Sequence, residues 1–255
     1  MKDTSKAVST WSSPPEWPTL APDDVQVWLI PIDPSPTPVE QLRQLLSPDE
    51  RGRADRFHFR SDRNRFTVAR AYLRVILGKY LRTDPGDIEF DYSKYGKPCL
   101  ASFANESTQL KFNLAHSGNR ALYAFTRGRE IGIDLERITP RLAVEGIARR
   151  FFSTTEVKLL EAVAPNVRTQ AFFNCWTLKE AFVKAKGVGI SLPLNQFDVT
   201  FVPFAPVVLL RTRWDETEAL RWSLQTIDTG KDYVGAIAVE DHNWRLSCWQ
   251  PGEIS

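Results

Sequence analysis

The 255-residue sequence predicts an α+β fold made of two similar lobes, with a ligand site in the cleft between them. Two helix-start patterns support this prediction. Ser47 and Ser153 are each followed three residues later by a glutamate, which is a capping box. Each serine also precedes a phenylalanine of a long helical pattern, Phe66 or Phe172, by the same 19 residues. An α+β unit of about 100 residues is therefore expected twice, although capping boxes are common and chance similarity is the alternative.

The first half of the chain supplies an N-terminal arm, residues 1–22, and an N-terminal lobe, residues 23–127. The arm is rich in proline, which is typical of a loosely docked segment. The elements of the lobe follow from hydrophobic periodicity, with Pro85 and Gly86 ending the long helix. They are a strand at 25–30, a short helix after Ser47, a long helix over 66–81, a strand and turn at 88–98, and a hairpin joining 110–115 to 121–125.

The second half, residues 128–255, is expected to form the C-terminal lobe and to carry a metal site. Its first strand pattern covers residues 131–136. A second capping box at Ser153 is followed by a long helical pattern that stops at Gly187 and Gly189. From residue 197 to residue 249 the pattern is β-like.

Composition limits the classes of protein to which the chain can belong. A net charge of +2, 42% apolar residues and 25% charged residues are typical of a globular protein without a bulk-charge partner. We therefore expect no nucleic acid partner. No run approaches the ~18 apolar residues of a membrane span, so no membrane is expected either. Three scattered cysteines indicate a reducing, cytoplasmic setting.

The most informative stretch is I-G-I-D-L-E at residues 131–136. Its apolar residues alternate with Gly132, Asp134 and Glu136, which predicts a half-buried strand with both carboxylates on one face. Two carboxylates at this spacing suit one hard divalent cation, and Gly132 would leave room for a bulky ligand to approach the backbone. The alternative is a solvent-facing edge strand with two solvated acids.

A second stretch, W-T-L-K-E-A-F-V-K-A-K-G at residues 176–187, supplies a third acid. On a helix, Glu180 and Lys184 share one face, while the opposite side is apolar. Glu180 would meet Asp134 and Glu136 in an octahedral Mg²⁺ site, and Lys184 would be a point charge for a phosphate. The alternative is an exposed ion pair between Glu180 and Lys184, worth about 0.3–0.5 kcal/mol.

These two stretches together resemble the 4′-phosphopantetheinyl transferases of the larger, Sfp-type class. Further motifs in compatible order extend the resemblance over almost the whole chain. They are S-P-D-E-R-G-R at residues 47–53, Y-G-K-P at 95–98, F-N-L-A-H-S-G at 112–118, R-F-F-S-T-T-E at 150–156 and G-I-S-L-P-L at 189–194. The resemblance implies a monomer whose two α+β lobes are related by a pseudo-two-fold axis.

The resemblance also implies roles for individual residues of the metal site. Asp134, Glu136 and Glu180 resemble the ligands of Mg²⁺, with Mn²⁺ as the alternative ion. Glu180 is in addition the candidate general base, and Lys184 the group that neutralises charge at the pyrophosphate.

A second set of residues resembles those that bind coenzyme A, the co-substrate. Lys97 and Pro98 match the edge that holds coenzyme A, and His116 matches a histidine that contacts its phosphates. Arg53 and Arg65 fall where basic residues reach the 3′-phosphate. One position departs from the family, because alanine replaces the usual serine before the histidine. A lost neutral hydrogen bond of about 0.5–1.5 kcal/mol would weaken coenzyme A binding without abolishing activity.

The implied reaction is Mg²⁺-dependent transfer of the 4′-phosphopantetheine arm of coenzyme A to a serine of an apo acyl or peptidyl carrier protein, releasing adenosine 3′,5′-bisphosphate. A non-catalytic carrier-binding protein and a Mg²⁺-dependent phosphohydrolase are the rival interpretations. Basic and apolar residues over 137–168 could dock an acidic carrier, or could form a solvated helix with a buried Phe151–Phe152 pair. These residues are Arg137, Arg141, Leu142, Val144, Arg149, Arg150, Lys158 and Arg168.

Overall fold

The computed structural model describes residues 10–33, 35, 37–101, 109–140, 142–201 and 206–251. These residues form two compact units. Of the described residues, the N-terminal unit contains those between 10 and 128 together with 245–251, and the C-terminal unit contains those between 129 and 244. The fold is α+β, as predicted, with helices and sheets in both units.

The N-terminal unit is a five-stranded sheet covered by helices. The strands lie in the order β1-β12-β2-β6-β5, in which β12 is parallel to β1 and β2, and β6 is antiparallel to β2 and β5. A separate small hairpin, β3–β4, follows the long helix. The elements are β1 Trp11–Ser12, β2 Asp24–Pro31, α1 Val39–Gln44, α2 Pro48–Asp55, α3 Arg60–Leu81, β3 Phe90–Tyr92, β4 Pro98–Leu100, β5 Leu110–Ser117, β6 Arg120–Arg127 and β12 Arg245–Trp249.

The C-terminal unit packs a long helix against a three-stranded antiparallel sheet, and two shorter helices pack against the long helix. The sheet order is β10-β11-β7, and a second hairpin, β8–β9, lies outside it. The elements are β7 Ile131–Arg137, α4 Val144–Phe151, α5 Thr154–Ala162, α6 Pro165–Lys186, β8 Phe197–Val199, β9 Leu209–Thr212, β10 Trp222–Ile227 and β11 Tyr233–Glu240.

Both predicted capping boxes are present. In each box the serine hydroxyl accepts a hydrogen bond from the backbone N–H of the glutamate, and the glutamate carboxylate accepts one from the backbone N–H of the serine. Each box begins a short helix, α2 or α5, and a separate long helix follows. The predicted long helices are confirmed, and α6 ends at Gly187, whose φ of 66° is the left-handed conformation that glycine adopts without strain.

The two units pass through the same order of elements. Each has one strand, three helices, a small hairpin and a larger hairpin, and in each the first strand pairs with the last strand of the larger hairpin. Helices α3 and α6 both have 22 residues. When the two helices are aligned from their first residues, Phe66 and Phe172 fall one position apart. The reason is that the segment between the capping box and the long helix is one residue shorter in the C-terminal unit.

The two ends of the chain differ from expectation. The last strand, β12, was assigned to the C-terminal lobe, but it pairs with β2 and β1 in the sheet of the N-terminal unit. Two residues of the expected N-terminal arm are also part of this sheet, since Trp11 and Ser12 form β1 and pair with β12. Residues 1–9 lie outside the described part of the chain. Among the described residues, no helix is long and apolar enough to cross a membrane.

Candidate active site

Strand β7 carries the two predicted acids, and it is more buried than the sequence suggested. The residues alternate as predicted, with Ile131, Ile133 and Leu135 at most 1% exposed on one face. On the other face, Gly132 and Asp134 are buried too, and Glu136 is half-buried. The strand lies at the edge of its sheet, but both of its faces are covered, which argues against the alternative of two solvated acids.

Helix α6 covers the acidic face of β7, and Gly132 is the point of closest approach. A Cβ atom at position 132 would overlap the carbonyl oxygen of Ala181 and the amide nitrogen of Ala185. The expectation that Gly132 leaves room for a ligand is therefore wrong. Its missing side chain admits the backbone of α6 instead, as glycine does where two segments pack closely.

The predicted faces of α6 are observed. Leu178, Phe182 and Ala185 are fully buried, while Glu180 and Lys184 are half-buried on the other side. The Nζ atom of Lys184 lies 2.7 Å from Oδ1 of Asp134. Lys184 therefore pairs with the acid of the strand, and the alternative of a solvent-exposed pair with Glu180 does not describe this lysine.

The carboxylates of Asp134 and Glu180 lie close enough to influence each other. Burial raises the pKa of Glu180, the negative charge of Asp134 raises it further, and the positive charge of Lys184 opposes both effects. Asp134 is 5% exposed, and its Oδ2 atom accepts no hydrogen bond from any described residue. A buried carboxylate oxygen without a partner is costly, so this atom has capacity for a ligand.

The donor set suits a hard divalent cation in its chemistry. Asp134, Glu136 and Glu180 offer carboxylate oxygens, which Mg²⁺ and Mn²⁺ prefer, and the orphaned Oδ2 of Asp134 is one such oxygen. Within the described residues, however, no three acidic, histidine or cysteine side chains converge closely enough to form a complete metal cage. The ammonium of Lys184 already contacts Oδ1 of Asp134. The Lys184 side chain must therefore move before an ion can bind that oxygen.

Apart from Lys184, which is expected at the pyrophosphate, the residues expected to hold coenzyme A belong to the N-terminal unit. His116 lies on β5 with its side chain exposed, and Pro98 begins β4 directly after Lys97. The turn before β4 is closed by hydrogen bonds between Lys97 and Ser93, at 2.9 Å and 3.1 Å. Arg65 forms an ion pair of 2.8 Å with Asp33.

Arg53 borders a polar cavity of about 890 Å³ in the same unit. Its guanidinium lies 5.4 Å from the centre of the Phe66 ring, so it is held at the rim by packing as well as by charge. Of the residues expected to bind coenzyme A, Arg53 is the one that lines this cavity. The other charged and aromatic residues of its wall are Asp49, Glu50, Arg56, Arg70, Arg74, Asp87, Glu89, Phe90, Asp91 and Tyr92.

One buried pair beside the acids has no role in the sequence-based interpretation. Lys179, which precedes Glu180, is fully buried and lies 2.8 Å from the carboxylate of Glu156. The signal was present in the sequence, because a lysine falls on the apolar side of an otherwise amphipathic helix and must find an anion or several carbonyls there. Glu156 was recognised only as the end of a capping box.

Comparisons with known proteins identify the family of the chain. The sequence model of the 4′-phosphopantetheinyl transferase superfamily matches residues 130–238, and that of the 4′-phosphopantetheinyl transferase N-terminal region matches residues 32–127. Together they cover both units.

Full-length relatives carry the same name. The chain is 40% identical to the 4′-phosphopantetheinyl transferase HetI of Nostoc sp. over 94% of this chain and 98% of the relative. It is 36% identical to the 4′-phosphopantetheinyl transferase Sfp of Bacillus subtilis over 63% of this chain and 68% of that protein. A phosphopantetheinyl transferase of Thraustochytrium sp. is 27% identical over 79% of this chain and 73% of its own length. The chain therefore belongs to the 4′-phosphopantetheinyl transferase family of enzymes.

Proposed function

We propose that this enzyme transfers the 4′-phosphopantetheine arm of coenzyme A to a serine hydroxyl of apo acyl or peptidyl carrier proteins, and releases adenosine 3′,5′-bisphosphate. The observation that supports this most strongly is the cluster of buried Asp134 with half-buried Glu180 and Lys184, which lies within the residues that the superfamily model matches. A transferase of this kind must stabilise negative charge as a pyrophosphate bond breaks, and the cluster offers both anionic ligands for a cation and a cation of its own.

The reaction depends on Mg²⁺, with Mn²⁺ as the alternative ion, held by Asp134, Glu136 and Glu180. When bound, the ion supplies electrostatic stabilisation of the charge that develops on the phosphates. The unpartnered Oδ2 of Asp134 supports its role as a ligand. In the absence of the ion, the ammonium of Lys184 offsets part of the negative charge of the acids through its contact with Oδ1 of Asp134.

Glu180 is the candidate general base. Its raised pKa makes its carboxylate a better proton acceptor than an ordinary exposed glutamate. It would take the proton from the hydroxyl oxygen of the carrier serine as that oxygen attacks the phosphorus of the phosphopantetheine. Lys184 would donate a hydrogen bond to the phosphate that departs, which offsets its growing charge.

Coenzyme A is bound by residues of the N-terminal unit. Lys97 and Pro98 form the edge for the adenosine, His116 contacts the phosphates, and Arg53 and Arg65 reach the 3′-phosphate. Arg65 would have to exchange its partner, Asp33, for the phosphate, whereas the ring contact of Arg53 leaves its charge available. Arg53 is therefore the better supported of the two arginines.

The carrier would dock on exposed residues of the segment 137–168. Leu142 and Phe151 are 37% and 36% exposed, and Arg150 and Lys158 of the same segment are exposed too. Other residues expected on this surface are buried, form ion pairs within the unit or lie outside the described residues. Val144 is 2% exposed and belongs to the core, Arg149 pairs with Glu161 and Arg168 pairs with Glu145, and Arg141 lies outside the described residues. Of the expected Phe151–Phe152 pair, Phe152 is buried and Phe151 is not.

The test is direct. The purified protein is incubated with coenzyme A, Mg²⁺ and several apo carriers of fatty-acid, polyketide and nonribosomal-peptide origin, and the mass of each intact carrier is measured. The proposal expects one phosphopantetheine added per carrier, with none when the carrier serine is replaced by alanine or when Mg²⁺ is chelated. A binding protein would leave every mass unchanged, and a phosphohydrolase would consume coenzyme A without a carrier.

We further propose that the enzyme acts as a monomer in the cytoplasm.

A further inference from the structure

Lys179 and Glu156 form a fully buried ion pair that joins three segments of the C-terminal unit. The ammonium of Lys179 donates hydrogen bonds to the carbonyl oxygens of Leu194 and Phe197, at 2.8 Å and 2.6 Å, and lies 2.8 Å from Oε1 of Glu156. An ammonium has three donors, so all are used. Lys179 and Glu156 are 0% and 1% exposed.

Both carboxylate oxygens of Glu156 also accept hydrogen bonds. Its Oε2 atom accepts the backbone N–H of Ser153 at 3.0 Å, which is the capping box of α5. Its Oε1 atom accepts the backbone N–H of Val199 in β8 at 2.9 Å. The pair therefore ties α6 to the start of α5 and to the chain between Leu194 and Val199. We refer to Lys179 and Glu156 together as the clamp.

The N-terminal unit contains a similar arrangement, in which a capping-box glutamate pairs with a basic residue of the long helix. The capping-box glutamate there is Glu50, and Arg74 of α3 lies 2.7 Å from its Oε2 atom. Arg74 also donates to the carbonyl oxygens of Pro85 and Ile88, which lead to the next hairpin. Arg74 and Lys179 are each the fifteenth residue of their 22-residue helices. What differs is the neighbouring residue, which is Val75 in one helix and the catalytic candidate Glu180 in the other.

We propose that the clamp is a positioning device for the transfer site, a role that rests on the function proposed above. Lys179 and Glu180 are consecutive on α6, about 100° apart around the helix axis. A buried charge with three acceptors has no alternative arrangement of low energy, because any shift would leave it partly unpaired. The clamp therefore fixes the rotation and the axial position of α6, and with them the approach of Glu180 and Lys184 to Asp134.

The opposite side of the helix is fixed by Gly132. Since the backbone of α6 rests directly on β7 there, the helix is held between a steric stop at the strand and the clamp. Catalytic groups lose on the order of 10²-fold in rate when they are displaced by about 1 Å. A lost clamp should consequently appear in the chemical step and in metal binding, and not in the binding of coenzyme A by the N-terminal unit.

The test uses Lys179→Met, which keeps an unbranched side chain one atom shorter and removes the charge. In the full-length protein we expect kcat to fall by at least about tenfold, with the KM for coenzyme A within about twofold of wild type. The concentration of Mn²⁺ that half-saturates the protein, measured by electron paramagnetic resonance of the free ion, should rise severalfold. Leu73→Ala in the core of α3 is the destabilising control, and it should leave kcat and Mn²⁺ binding unchanged.

A second variant separates position from stability. In Lys179→Met with Glu156→Gln, neither buried charge remains, but the amide nitrogen of glutamine cannot accept the backbone N–H that one oxygen of Glu156 accepts. The melting temperature should therefore recover in part relative to the single variant, while kcat stays low. Wild-type kcat and Mn²⁺ binding in the single variant would overturn the proposal, and so would full recovery of kcat in the double variant. A wild-type protein that binds Mn²⁺ but modifies no carrier would refute the proposed function instead, and the Mn²⁺ titrations would still decide the role of the clamp.

Discussion

Replacing Gly132 by alanine tests how the acids of β7 and α6 are brought together. The added Cβ would lie 2.8 Å from Cα of Ala185, and it would meet the Ala181 carbonyl oxygen and the Ala185 amide nitrogen more closely still. To restore an ordinary contact of 3.4 Å to the Cα atom alone, α6 must retreat by about 0.6 Å, and the two polar atoms require more. Backbone atoms cannot rotate away as a flexible side chain would.

Two effects follow from this displacement. Overpacking a core typically costs about 1–3 kcal/mol, and we expect about 2–3 kcal/mol here because two backbones must separate. For a protein of this size that lowers Tm by about 4–12 °C. Because Glu180 and Lys184 move with the helix, kcat should fall on the order of 10²-fold even where the variant is folded.

The assay combines urea unfolding with carrier modification measured by intact mass. A matched control is Gly146→Ala in α4, where an added Cβ meets nothing within 4 Å. Exchange of an exposed helical glycine for alanine is expected to raise the free energy of unfolding by about 0.5–1 kcal/mol. If Gly132→Ala matched the stability and the transfer rate of the wild-type protein, the close packing of α6 on β7 would be refuted as the basis of the site.

Three further predictions concern the charged cluster. Asp134→Ala should abolish transfer while the protein stays folded, as judged by circular dichroism, and near-native rates would remove Asp134 from the site. Lys184→Met should lower kcat about 10²-fold and should strengthen Mn²⁺ binding, since Lys184 no longer competes for Asp134; weaker or unchanged Mn²⁺ binding would contradict that competition. The raised pKa of Glu180 means that folding favours its protonated form. The metal-free wild-type protein should therefore lose stability relative to Glu180→Gln as the pH rises above the ordinary value of 4.5. Parallel pH profiles of the two proteins would contradict the burial of Glu180 beside Asp134.

Local patterns were sufficient to predict much of the fold. Alternation identified β7, helical spacing identified α3 and α6, and the serine-to-glutamate spacing identified both capping boxes, because these signals depend on neighbours in sequence. The return of β12 to the N-terminal sheet was not predictable in this way. Strand pairing between residues more than 200 positions apart has no local signature.

Part of the site could be predicted from the sequence for a similar reason. The acids and Lys184 lie within two short motifs, and the ion pair between Asp134 and Lys184 links the two motifs, although a phosphate or Glu180 was the expected partner of Lys184. The function of Gly132 was misjudged because a glycine in a strand permits close approach by a ligand or by another backbone, and only the packing of α6 decides between them. Val144 was expected on the surface, but it is buried, because its burial also depends on packing that the sequence does not show.

The clamp shows the limit of motif-based reasoning most clearly. Glu156 satisfies a local rule at the start of α5, so its second partner, Lys179, is not needed to explain it. Lys179 in turn depends on carbonyl groups of Leu194 and Phe197, whose positions follow from the path of the chain after α6. A buried lysine can be suspected from its place on an apolar face, but its partners require coordinates.

The central claim is that Asp134, Glu136 and Glu180 bind one divalent cation together. Anomalous scattering from crystals grown with Mn²⁺ and coenzyme A tests it most directly. A single Mn²⁺ peak within about 2.0–2.3 Å of carboxylate oxygens from all three residues is expected, with Lys184 moved from Oδ1 of Asp134 to a phosphate oxygen. A Mn²⁺ peak that contacts none of these acids, with Lys184 still on Asp134, would contradict the account.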